Sequence, residues 1–499
     1  MKTTIKNILN NIKKHNYERI IIELILFTML FNTNNIIGVT FLLIIIFEIL
    51  LSKDVKNILF IFIFLSFFDE KIKIEQLEGS ISRIIILFIL LKLSIQIIKN
   101  RIKPNKFQIG VIVFFTISCI VGIIEKNINM EVFITIFNIF LFICFSMTLN
   151  LKNNEEIEKF IEKLCYTILI AVFCASIYGL VTANFLKDVR GDSVAYRFNG
   201  TYEPNFMCMY LNLAILALFT IKNKVNKILY YILSAILINF EILTVSIAGI
   251  GALVISIIVY FILYKKEWKE LLKNLLIIFL ISIIIFLGIK IITIERIIEY
   301  INFKNKNNLE TTYEITNGDL NIENNVSNIE NNVSNIENLY GNINNESQVN
   351  NQIIYNDETG IHARIRRIIN QLENGKIDDL TSGRTALVRT FFKASFNRPI
   401  LEVLFGNNPI NKKVYCDFFD RECFSHNSYM DCLYNFGIVG FGIIIGFLLY
   451  RTTKNVYVNT NITNCKYSKN IKVIRIMLLM CAVALTLYTK RMFLVLFLI

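Results

Sequence analysis

The sequence predicts an all-α protein: a polytopic transmembrane helical bundle of about 12–14 spans, with a large outer loop carrying amphipathic helices. Three observations predict it. Composition is the first: 54% of the 499 residues are apolar, mean hydropathy is +0.53 and only four prolines occur. Soluble domains are less apolar and lack repeated runs of about 20 apolar residues. Such runs recur along most of the chain, and Lys and Arg are distributed unevenly between alternate loops.

In order, the runs lie near 19–33, 36–52, 55–68, 82–98, 108–125, 131–149, 160–182, 204–221, 229–245, 248–264, 272–293, 428–450 and 472–488. The third is short for a spanning helix. The loops on the amino-terminal side of these spans hold 26 Lys and Arg, and the opposite short loops hold seven. Basic loops stay in the cytoplasm, so the amino terminus is expected there. The formal net charge of +13 then reflects topology, and no nucleic-acid partner is expected. Parity divides the chain into spans within 1–293, a large extracytoplasmic loop at 294–427 and carboxy-terminal spans in 428–499. It also puts the loop 183–203 outside.

The large loop changes character along its length. Residues 302–356 contain 19 asparagines and the seven-residue repeat NIENNVSNIENNVSNIEN (321–338), which reads as a disordered insertion. IHARIRRIINQLENG (361–375) carries an Ile/Leu stripe at helical spacing. TSGRTALVRTFFKASFNRP (381–399) starts at a capping candidate, Thr381 or Ser382, and stops before Pro399. Leu387, Phe391, Phe392 and Ser395 would face protein or bilayer, with Arg384, Arg389 and Lys393 on one flank. Cys416 and Cys423, seven apart in an oxidising exterior, are a candidate disulfide. No Cys or His spacing matches a metal site, and no metal or other cofactor is expected.

His426, one of only three histidines, stands with Asn427 at the mouth of the span that follows the loop. Four charges fall inside predicted spans: Glu23, Glu48, Lys92 and Glu241. Charges there are costly, so they pair between spans or serve function. Glu241 lies one turn before Thr244 and Ser246 at the outer end of its span, where it would support the site.

SGRTALVRTFFKASFNRPILEVLFGNNP (382–409) followed by SHNSYMDCLYNFGIVG (425–440) resembles the O-antigen ligase and Wzy-type polysaccharide polymerase superfamily, at Arg384, Pro399, Gly406, His426, Asn427 and Gly437 to Gly440. YRFNGTYEPNFMCMYL (196–211) is similar to a second segment of that superfamily at Arg197, Gly200, Pro204 and Asn205. The chain departs from the pattern where Leu387 and Val388 stand near the Arg in place of an aromatic residue. It departs again where Ser246 is followed by Ile247 rather than by Arg.

The resemblance implies a metal-independent glycosyltransferase in the bacterial cytoplasmic membrane. The donor would be a glycan on an undecaprenyl-diphosphate carrier, and the acceptor a sugar hydroxyl on another glycan or lipid-linked glycan. Membrane lipids complete the expected partners. A polymerase of repeat units and a ligase both remain open, with a lean to the polymerase. His426 would deprotonate the acceptor, because neutral imidazole accepts a proton near neutral pH. Arg384 would stabilise the departing diphosphate, with Arg197 and Arg389 binding it, since the guanidinium fork matches phosphate oxygens. Asn427 would orient His426 or cap the helix. The rival reading is a flippase for lipid-linked oligosaccharides. That reading wants paired repeats and broken helices at midplane, while this chain gathers its Arg, His and loop length outside.

Overall fold

The computed structural model describes residues 16–30, 35–68, 81–124, 130–151, 153–182, 184–190, 193–288, 383–406, 413–453, 465–483 and 485. Within them the chain is overwhelmingly helical. The first seven helices are α1 (Asn16–Leu30), α2 (Asn35–Leu51), α3 (Val55–Ser66), α4 (Ile81–Lys99), α5 (Lys106–Ile124), α6 (Met130–Thr148) and α7 (Asn154–Val181). Then come α8 (Pro204–Thr220), α9 (Lys227–Leu243), α10 (Ile247–Leu263) and α11 (Lys265–Gly288), the last opening with a 3₁₀ turn. After the large loop come α12 (Arg384–Phe396), α13 (Ile400–Phe405), α14 (Ser428–Thr453) and α15 (Ser468–Ala482).

Helix starts follow local chemistry. Asp54, Asn153, Asn226 and Ser246 each accept a backbone N–H of the following helix, opening α3, α7, α9 and α10. Short polar side chains at this position satisfy donors that the first turn leaves unpaired.

Helices that are apolar all round sit inside. Ile58–Ser66 of α3 is buried without interruption, as are nearly all residues of α8. The hub is α8, packed against α7, α9, α10 and α15. The outer helices instead expose large apolar side chains, among them Phe47, Leu51, Ile98, Phe279 and Ile284. In water such a surface is an aggregation liability, and in hydrocarbon it costs nothing. By length and composition α7, α11 and α14 are long and apolar enough to cross a membrane; α2, α3, α8 and α10 are shorter apolar helices.

Two antiparallel hairpins were not expected. The first pairs β1 (Phe185–Arg190) with β2 (Ser193–Phe198), from Phe185 opposite Phe198 to Arg190 opposite Ser193. Its stacked Phe198 and Phe240 rings anchor β2 to α9. The second pairs β3 (Val414–Cys416) with β4 (Arg421–Cys423). Its register places Cys416 opposite Arg421 and Cys423 opposite Val414, and both thiols are unbridged. The candidate disulfide is therefore not formed. Cys416 is buried and accepts a hydrogen bond from the Thr390 hydroxyl at 3.6 Å.

Of the charged residues foreseen within the spans, Glu48 and Lys92 pair across helices and Glu23 pairs within α1. Arg19 bridges Glu23 (3.3 Å) and Glu48, and the Lys92 ammonium donates to the Leu50 carbonyl. The predicted helix 361–375, the Asn-rich stretch 302–356, Thr381, Ser382, His15 and His362 lie outside the described residues.

Candidate functional site

Three segments far apart in sequence meet at one end of the helical body. The first runs from β2 into α8. After Phe198 the chain turns at Gly200, whose φ of +55° is left-handed. The Tyr202 hydroxyl donates to the Ser66 carbonyl at 2.8 Å, bolting the turn to the end of α3. Pro204 then opens α8 at a position where a missing N–H costs nothing.

Arg197 projects from β2 into the body and is 4% exposed. Its Nε donates to the Thr244 carbonyl (3.0 Å) and a terminal nitrogen donates to Asn205 Oδ1 (2.9 Å). The Ser246 hydroxyl donates to that same oxygen at 2.9 Å, while Asn205 Nδ2 donates to Glu203 Oε1 at 2.8 Å. Asn205 is thus a junction between a buried cation and an exposed carboxylate. The turn supplying Thr244 and Ser246 holds Val245 at φ +51°, a conformation that a β-branched residue strongly resists. One turn earlier on α9, the buried Glu241 accepts the Cys208 thiol of α8 at 3.7 Å.

The second segment leads into α14. His426 has φ +49°, and its exposed ring meets Phe424 edge-on at 6.4 Å. Asn427 caps the helix: its Oδ1 accepts the N–H groups of Tyr429 (2.9 Å) and Met430 (3.1 Å). Its Nδ2 donates to the Val483 carbonyl at 2.9 Å, and the Ser428 N–H donates to Leu485 at 3.1 Å. These bonds strap the start of α14 to the end of α15, which packs along α8. His426 is thereby carried to the start of α8, where Glu203 lies.

The third segment is α12. Its cap is Gly383, at φ +77°. Thr381 and Ser382, the expected caps, precede it. A Cβ at Gly383 would meet the Phe419 ring at 2.1 Å, so the aromatic tip of the second hairpin selects glycine. Arg384, half-buried, is the first helical residue. Leu387, Phe391 and Ser395 are buried as expected, but Phe392 is 52% exposed and pairs with Phe396.

Two devices dock α12 and α13 on α14. Arg398 lies over the Tyr434 ring at 4.5 Å and donates to the Tyr434 carbonyl at 2.7 Å. Gly406 (φ +72°) and Gly437 (φ +64°) pack backbone against backbone, and Gly437 kinks α14. A Cβ on Gly406 would meet the Asn435 carbonyl oxygen at 2.0 Å.

One acid and one base, Glu203 and Arg384, act electrostatically on His426. The imidazole is held below its usual proton affinity, chiefly by partial desolvation; Glu203 opposes this and Arg384 reinforces it. Arg384, Arg197, His426 and Asn427 thus belong to one end of the molecule. Arg389 is exposed on α12, while Glu241 is buried behind the Arg197 turn. Reading the sequence missed Glu203 as a site residue and the junction role of Asn205. The available signal was an acid placed just before a Pro-led helix start, where backbone N–H groups favour negative charge. Among the described residues no group of three or more His, Cys, Asp or Glu side chains gathers as a metal ion requires.

Comparison with protein-family models, curated proteins and solved structures returned no match to this chain.

Proposed function

We propose that the protein is an integral membrane glycosyltransferase. It moves a glycan from an undecaprenyl-diphosphate carrier to a sugar hydroxyl at the outer face of the cytoplasmic membrane, as a repeat-unit polymerase or a ligase. The observation that carries the reading is the convergence of Arg197, Glu203, Arg384 and His426 from three distant segments. The polytopic bundle with its amino terminus inside, which puts this end outside, is part of the same proposal and rests on the Lys/Arg asymmetry of the loops.

In this mechanism the His426 imidazole takes the proton of the acceptor hydroxyl. The hydroxyl oxygen attacks the anomeric carbon, and the bond from that carbon to the diphosphate oxygen breaks. Negative charge leaves with the lipid diphosphate. Arg384, half-exposed at the start of α12, meets that charge with a fixed fork of donors. Arg197 is tied to Thr244 and Asn205, so it acts from behind as a fixed positive charge. Arg389 reaches the diphosphate or a lipid headgroup from the exposed flank of α12. Asn427 fixes the backbone that carries His426. Because desolvation and Arg384 lower its proton affinity, His426 stays neutral and competent at and somewhat below neutral pH.

The test uses purified protein in nanodiscs with an undecaprenyl-diphosphate oligosaccharide, following glycan length and release of the lipid diphosphate. Chain growth in wild type, falling about 10²–10⁴-fold in His426→Ala and in Arg384→Ala, is the expected result. Turnover only after addition of a lipid A core acceptor identifies the ligase. Unchanged turnover in His426→Ala removes the general base, and movement of intact donor across the bilayer without transfer replaces the enzyme by a flippase.

A further inference from the structure

We propose that the outward face of α12 and α13 is a membrane-docking surface. Phe392, Phe396, Ile400 and Leu401 enter the acyl boundary of the bilayer, and Arg389 and Lys393 hold the phosphates of anionic phospholipids. The inference goes beyond the transferase reading. It needs only that the apolar surface of the helical body meets lipid, and not that any glycan is transferred.

The pattern begins in α12, which packs on α14. Leu387, Phe391 and Ser395 recur every fourth residue and are buried on that side. The exposed side chains of the helix are Arg389, Phe392, Lys393 and Phe396, and no others. Their spacing of three and four positions gathers them on one stripe, with the two Phe rings 5.0 Å apart. After Pro399 the stripe passes to α13, whose exposed side chains are Ile400 (69%) and Leu401 (56%). No acid joins them, because Glu402, the one carboxylate of the two helices, is buried. Large apolar side chains bordered by cations make up the face that a helix lays on a bilayer surface. The long Arg and Lys stems cover apolar surface while their charged heads reach the phosphates.

The seat of α13 says what covers this face. Phe405 packs against the cluster of Phe114, Cys432 and Phe436, and its carbonyl accepts the Ser118 hydroxyl of α5 at 3.3 Å. The helix is therefore wedged on α5 and α14, whose own outward side chains are apolar. Ile112, Val113, Ile117 and Ile120 are exposed on α5, and Ile438 and Val439 on α14. The face of α12 and α13 continues that apolar surface and adds two cations to it. Twofold pairing of this face with a second copy would gather four cations and no acid, which disfavours a dimer and favours anionic lipid. Arg384 begins the same helix, so docking sets the candidate site at the level of the headgroup phosphates.

Trp268 is the chain's single tryptophan, so Trp268→Phe gives a background into which one fluorescent reporter is placed. Phe396→Trp and Leu401→Trp, each in the full chain with that background, report the face from its two helices. Tyr415→Trp is the control, on the exposed second hairpin with Asp417, Asp420 and Glu422. That hairpin meets α12 at Thr390, which is off the stripe. All are reconstituted in vesicles of phosphatidylcholine and phosphatidylglycerol. Phospholipid brominated along its acyl chains quenches a reporter in the bilayer, and acrylamide quenches one in water. Phe396→Trp and Leu401→Trp should lose most of their emission to brominated lipid and little to acrylamide, and Tyr415→Trp the reverse.

Moving the bromine from phosphatidylcholine to phosphatidylglycerol in the same mixture should strengthen quenching, since each cation enriches anionic lipid about fivefold. The double variant Arg389→Gln with Lys393→Gln should abolish that preference while the reporters stay in the bilayer. An unchanged preference in the double variant overturns the headgroup role of the two cations. Reporters reached by acrylamide and not by brominated lipid overturn the docking itself. Shielding from both quenchers gives the face to a protein partner or a second copy, and overturns it too. If Phe396→Trp does not fold, Leu401→Trp decides by the same readings.

Discussion

The two ends of this molecule are held together by different physics. At the end where α1, α3 and α7 begin, the stabilising contacts are ones that helices provide readily. Asp54 and Asn153 cap their helices, Lys56 pairs with Glu156, and the Tyr17 hydroxyl donates to the Lys163 carbonyl at 2.7 Å. Lys224 pairs with Glu162 at 3.2 Å, and the Tyr467 hydroxyl donates to the same carboxylate at 2.6 Å. Tyr17, Asp54, Lys56, Asn153, Glu156 and Glu162 line a charged cavity of about 590 Å³ between α1, α3 and α7. At the other end the backbone itself is strained. Of the eight left-handed φ values among the described residues, seven lie there: Gly200, Val245, Gly383, Gly406, Asp420, His426 and Gly437. Arg101 is the exception. Such conformations persist only where the surroundings over-determine them, and they concentrate where side chains must be aimed. The contrast teaches that one end is held by side-chain pairs between helices of ordinary backbone and the other by strained backbone in close packing, and that the candidate site occupies the second.

The largest expected effect tests that long-range contact. Alanine at Gly437 would set a Cβ 2.5 Å from the Leu404 carbonyl group and 2.6 Å from the Gly406 nitrogen. Backbone cannot yield as a side-chain tip does, so Gly437→Ala should cost about 3 kcal/mol in thermal unfolding of the detergent-solubilised protein. Gly442→Ala, with nothing within 4 Å of its Cβ, is the control and should leave the transition almost unmoved. Equal melting of the two variants would erase the distinction between the ends.

A smaller effect probes the opposite end. Lys56 and Glu156 have side chains 22% and 31% exposed, and pairs that water reaches are weak. A double-mutant cycle with Lys56→Met and Glu156→Gln should give a coupling of about 0.5–1 kcal/mol, declining with salt. A coupling of several kcal/mol that salt does not touch would show that this end, too, depends on a buried network.

The smallest effect has the opposite sign. Arg101 ends α4 in a left-handed conformation, with the Ile102 N–H returning to the Ile97 carbonyl at 3.0 Å, a helix stop that glycine serves best. Arg101→Gly should raise stability by about 0.5 kcal/mol, as relief of strain slightly exceeds the extra chain entropy lost. A fall in stability would mean that the side chain holds the loop.

The sequence by itself determined the class and the helices. Apolar runs and polar breaks set boundaries that α1 to α11, α14 and α15 match within seven residues at either end, because helix formation depends on neighbours three and four positions away. It also named Arg197, Arg384, His426 and Asn427. The first hairpin went unread although Gly191-Asp192, between two stretches of alternating character, is a turn signal. Tertiary structure alone decided the rest. Gly383 caps α12 because Phe419 fills the space a side chain would need, and Cys416 and Cys423 stay apart because the hairpin register opposes each to another residue. The start of α14 is fixed by the carbonyls of Val483 and Leu485, more than fifty residues along the chain from His426, at the end of a helix that packs along α8. Composition and periodicity report what a segment needs from its surroundings. They carry no information about which distant segment will provide it.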